Sequence, residues 1–69
     1  MRGSVTRVLR TQGCGFILAE DGCEIYFDSS GLESMEIDDV QVGYWVDLKL
    51  QDGWERLRAV NIRRLRGQA

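Results

Sequence analysis

Hydrophobic and polar residues alternate along most of this chain, with breaks at glycine and at acidic turns. In GSVTRVLRT, residues 3–11, Val5, Val8 and Leu9 are interleaved with Thr and Arg. That pattern predicts a first strand whose alternation slips once, as at a β-bulge. Gly13 breaks the run, and Cys14 to Ala19 then read as a second strand with Cys14, Phe16 and Leu18 on one face and Gly15 and Ile17 on the other. The turn Glu20-Asp21-Gly22 carries an Asp-Gly pair that tolerates positive φ. It leads into a third strand, Cys23 to Asp28, with Ile25 and Phe27 facing one side and Tyr26 and Asp28 the other.

The alternation stops between Ser29 and Val42, where Leu32, Met35, Ile37 and Val40 are scattered among Ser, Gly and acids, so a long loop with one helical turn is expected. Gly43 reopens it. YWVDLKL predicts a fourth strand with Tyr44, Val46, Leu48 and Leu50 inward and Trp45 outward. A turn at Asp52-Gly53 leads to a fifth strand between Trp54 and Leu65, with Val60 and Ile62 inward. A helical reading of ERLRAVNIRRL, residues 55–65, competes through Leu57, Val60 and Leu65, but Asn61 between two β-branched residues argues for a strand. Five short strands with a longer loop after the third predict an all-β, five-stranded antiparallel Greek-key barrel of the OB-fold type.

With 69 residues, a single domain is expected, its core over about 3–64 and a polar tail at 65–69. Two cysteines supply no disulfide framework, and in the hairpin Cys14 and Cys23 would lie about 17 Å apart, so free thiols are expected. Without His, the chain is short of ligands for a metal site, and no metal or other cofactor is expected. No nucleophile with a neighbouring base and no phosphate-cradling glycine loop is seen, which argues against an enzyme. The absence of a long apolar run and of a signal-peptide pattern predicts a cytoplasmic protein with no membrane partner.

Net charge is −2, so no global positive field draws polyanions in. The charge is unevenly placed. Glu33, Glu36, Asp38 and Asp39 cluster mid-chain, while Arg56, Arg58, Arg63, Arg64 and Arg66 crowd the other end.

Gln12-Gly13-Cys14-Gly15-Phe16-Ile17, the Glu-Asp-Gly turn, Ile25-Tyr26-Phe27-Asp28-Ser29 and the closing Ala-Val-Asn-Ile-Arg together resemble the bacterial cold-shock proteins, over about residues 3–64. The resemblance implies a barrel that binds single-stranded RNA or DNA, as an RNA chaperone or regulator. Exposed rings on adjacent strands would stack on bases, and Arg or Lys groups would hold phosphates. It places the interface at Arg7, Val8, Arg10, Gln12, Cys14, Phe16, Tyr26 and Asp28. Phe16 and Tyr26 are the rings that remain there. Arg7 and Val8, Cys14, Asp28 and Ser29, and Ile37 stand where the family carries aromatics or His, and Gln12 replaces its usual Lys. Gly13 and Gly15 would keep the face open beside Phe16.

Stacking contributes about 1 to 3 kcal/mol per base, so losing even four such positions weakens binding by roughly 4 kcal/mol, about a thousandfold. Asp28 is expected to repel phosphate, and Arg7 and Arg10 to compensate in part. The competing expectation is a protein-interaction or self-associating module on the same barrel, contacting a partner or a second copy through Trp45 or Trp54.

Overall fold

The computed structural model describes residues 1–53 and 56–65. Five strands, β1 (Arg2–Leu9), β2 (Cys14–Ala19), β3 (Glu24–Asp28), β4 (Trp45–Asp52) and β5 (Leu57–Arg64), close into a barrel in the order β1-β2-β3-β5-β4. The arrangement is consistent with an OB-fold-like barrel. Strand, not helix, forms at the fifth segment. Trp54, at the predicted start of that strand, and the tail beyond Leu65 lie outside the described residues.

The sheet is mixed, which corrects the expectation of a purely antiparallel one: β3 and β5 run parallel, with Tyr26 opposite Arg58, while the other neighbours are antiparallel. Parity requires this. Around a closed ring, strand direction must return to its starting sense, so antiparallel neighbours must be even in number and a ring of five strands needs a parallel pair. Beyond β3 the loop carries the seam onward, with Leu32 bridged to Ile62 and the Glu33 N–H donating to the Ile62 carbonyl at 2.9 Å.

The β2–β3 hairpin forms where the sequence predicts. Gly22 sits at φ +92°, the Ala19 N–H donates to the Cys23 carbonyl, and the Asp21 carboxylate accepts from the Cys23 N–H. Alternation then places Ile17, Ile25 and Phe27 in the core, where they meet Val5, Val40, Val46, Leu48 and Ile62. The long loop contains two 3₁₀ turns, Ser29–Gly31 and Ile37–Asp39, and its anchors Leu32, Met35 and Ile37 pack against the core around buried Val40.

Two bulges re-aim side chains against simple alternation. In β1 the register shifts between Val5 and Arg7, so Thr6 and Arg7 are both exposed and Val8 turns back onto the core. In β5 the shift falls opposite Asp47 to Lys49, at Asn61, whose φ of +51° lies in the left-handed region. Ala59 and Ile62 therefore point inward, and Val60, expected in the core, is half-buried. Leu50 departs for another reason. β1 pairs with β4 only across Trp45–Asp47, so the β4–β5 hairpin runs on past that cover, leaving Leu50 and Leu57 exposed.

Candidate nucleic-acid interface

The barrel surface carries one row of outward side chains across four strands. Arg7 on β1 is opposite Phe16 on β2, Phe16 is opposite Tyr26 on β3, and Tyr26 is opposite Arg58 on β5. At the usual strand spacing of about 4.8 Å the row extends roughly 14 Å from end to end. It reads cation, ring, ring, cation.

The two rings are half-buried, with centroids 6.0 Å apart at an interplanar angle of 71°, the edge-to-face contact aromatic quadrupoles favour. Their exposure follows from register. Phe16 and Tyr26 alternate with Ile17, Ile25 and Phe27, which fill the interior, so the rings have no place inside. Gly15 has a different role from the one the sequence suggested: it is buried, and a Cβ built on it would lie 2.8 Å from the Phe27 ring. Its missing side chain makes room for the core beneath the row.

The other predicted site residues divide. The Arg7 side chain is exposed and makes no hydrogen bond or ion pair among the described residues, and Gln12 is likewise exposed in the 3₁₀ turn Arg10–Gln12. Val8 leaves the interface, because the bulge packs it against the core. Cys14 shares the outward face of β2 with Phe16 yet is only 8% exposed. Leu9 and Asp28 flank it across the sheet, and the Ser29 N–H donates to the Gly13 carbonyl beside it, so little of the thiol is presented.

Arg10 is already engaged. Its guanidinium donates to the Ile37 carbonyl at 2.9 Å and the Val40 carbonyl at 2.7 Å, pinning the second 3₁₀ turn to the end of β1. These two contacts make Arg10 a loop anchor.

Asp28 is not the bare negative charge that the sequence suggested. Its Oδ1 accepts from the Ser30 backbone N–H at 3.0 Å and from the Ser30 hydroxyl, capping the turn Ser29–Gly31. Its Oδ2 lies 3.3 Å from Nη1 of Arg58. The Nε of Arg58 donates to Gln51 Oε1 at 3.3 Å, so the guanidinium is held from two sides with Nη2 unengaged among the described residues. The pair is solvent-accessible, 38% exposed for Arg58 and 29% for Asp28, and exposed pairs contribute about 0 to 1 kcal/mol.

Arg56 and Arg58, which the predicted interface leaves out, stand beside Tyr26. The Arg56 guanidinium stands 5.0 Å above the Tyr26 ring centroid, and with Tyr26, Asp28, Gln51, Asp52 and Arg58 it lines a groove of about 620 Å³ at the β5 end of the row. The interleaved arginines of the last strand were the available signal, but only the parallel β3–β5 pairing brings them beside Tyr26. Their neighbours Arg63 and Arg64 go elsewhere. Arg63 pairs with Glu33 and Asp47, and Arg64 lies 3.9 Å over the Tyr44 ring, in a groove of about 900 Å³ that Asp38 and Asp39 also line. Four acids against two engaged arginines give that larger groove little to attract a polyanion.

Trp45 is 47% exposed on β4, opposite Ser4 of β1, which is in turn opposite Leu18 of β2, 42% exposed. No helix among the described residues is long and apolar enough to cross a membrane. Comparison with protein-family models finds no match, and comparison with curated proteins finds none either.

Proposed function

We propose that this barrel binds single-stranded RNA or DNA through the Arg7–Phe16–Tyr26–Arg58 row, as a weak, cold-shock-like RNA chaperone or regulator with no catalytic step, acting in the cytoplasm. The observation that carries the reading is the row itself: two half-exposed rings side by side on antiparallel strands, with a cation at each end. Rings of this kind offer unstacked bases a flat apolar surface without selecting their identity, and arginine adds both charge and a stacking plane. With two rings and few free cations the affinity is modest and sensitive to salt.

Fluorescence anisotropy with labelled oligo-pyrimidine and oligo-purine strands at low salt tests the reading. The expected result is saturable binding that Phe16→Ala and Tyr26→Ala each weaken by about 5-fold to 150-fold, from about 1 to 3 kcal/mol per stacked base. Arg7→Ala reduces both affinity and salt dependence. Failure to bind at low salt and high protein concentration, or binding indifferent to all three substitutions, overturns it.

The aligned Leu18–Ser4–Trp45 surface favours a second reading, a protein-interaction or self-associating module. Light scattering before and after Trp45→Ala tests it, and a monomer in both cases counts against self-association through that ring.

A further inference from the structure

Tyr26, Arg56 and Arg58 border a groove in which Arg58 is fixed by Gln51 and Asp28, with its Nη2 unengaged among the described residues. We infer that Arg58 is a phosphate-binding residue of the interface and that Asp28 is its built-in competitor, so that a strand phosphodiester engages the full guanidinium fork of Arg58, Nη1 with Nη2, only by displacing the Asp28 carboxylate. This rests on the strand-binding reading above.

Three features support it. Arg58 belongs to the same cross-strand row as the two rings, so a base on Tyr26 brings its own backbone alongside the guanidinium. A phosphodiester and a carboxylate present the same ligand to an arginine, an anionic oxygen pair matched to the guanidinium fork, and therefore compete for the same donors. Asp28 is also tethered where it stands, because its Oδ1 caps the turn Ser29–Gly31 through Ser30. A tethered, solvent-accessible carboxylate is displaced without leaving the site, and it recaptures Arg58 when the strand departs. The device limits affinity and favours rapid release.

The test is a double-mutant cycle at Asp28 and Arg58, using a labelled single strand titrated over a range of salt concentrations. Asn retains an oxygen that can cap Ser30, so Asp28→Asn keeps the turn, and unchanged melting temperatures check that it does. The expected result is that Asp28→Asn tightens binding several-fold and steepens the log-affinity against log-salt slope by about 0.7, the contribution of one further neutralised phosphate on a single strand. In the Arg58→Gln background the same substitution gains nothing.

An Asp28→Asn gain that persists in full without Arg58 assigns Asp28 a general repulsive effect and overturns the inference, as does an unchanged or weaker affinity with Arg58 present. Wild-type protein that binds no strand refutes the parent reading instead, which keeps the two failures distinct.

Discussion

Nη2 of Arg10 donates to the carbonyl oxygen of Val40 at 2.7 Å, and Val40 is itself a core residue, 1% exposed. One side chain at the end of β1 thus holds the loop between β3 and β4 by its backbone, while that loop inserts a hydrophobic anchor into the barrel. Replacing Arg10 with Gln removes two charge-assisted bonds. The expected cost is about 1 to 2 kcal/mol, read as a lower urea midpoint at constant m-value.

Asn61 makes the β5 bulge. At φ +51° it occupies a region costly to most L residues, and its side-chain amide donates to Glu33 Oε1 at 2.6 Å. Asn61→Ala loses both features and is expected to cost about 1 to 2 kcal/mol. Asn61→Gly keeps the backbone conformation and costs less, a rank order that thermal melts of the two variants check.

Gly15→Ala places a methyl against the Phe27 ring and the Arg7 carbonyl, both fixed by neighbouring strands. Overpacking of this kind costs about 1 to 3 kcal/mol, and the melting temperature falls accordingly. The row sits directly above, so a shifted Phe27 also disturbs the Phe16–Tyr26 contact, visible as altered Tyr26 ring resonances in NMR spectra.

Trp45 lies on β4, two strands from Tyr26 by way of β5 and three by way of β1 and β2. Trp45→Ala is expected to leave oligonucleotide affinity unchanged, in contrast to Phe16→Ala. An affinity loss in the same anisotropy assay would extend the interface onto β4.

Local alternation made the β2–β3 hairpin legible almost to the residue, because nothing interrupts it between Cys14 and Asp28 except a turn with an evident signal at Asp21-Gly22. Val60 was assigned to the wrong face because a one-residue slip reverses every side chain beyond it, and Asn61 does not announce a bulge in sequence. The spacing of Val5, Val8 and Leu9 signals the slip in β1 but not that it turns Val8 onto the core. Leu50 has the right alternation and the wrong cover, since burial depends on how far β1 extends beside β4.

At the candidate site the rings were readable and the charges were not. Arg10 and Asp28 look free in sequence, yet their partners, Val40 and Arg58, each lie 30 residues away in the chain. The parity of five strands requires a parallel seam somewhere in the ring, whereas its place between β3 and β5 and the register that sets Arg58 opposite Tyr26 needed the structure.

That register has a mechanical side. Among the described residues, Tyr26 and Arg58 are the one registered pair joining β3 to β5, so the hoop around the barrel is fastened at a single backbone rivet there, reinforced by the Asp28–Arg58 pair and by the loop strap at Leu32 and Ile62. A ligand gripping Tyr26 and Arg58 together would act as a second fastener across the joint. Its grip would then be felt by the whole ring, slowing amide exchange in strands the ligand never touches.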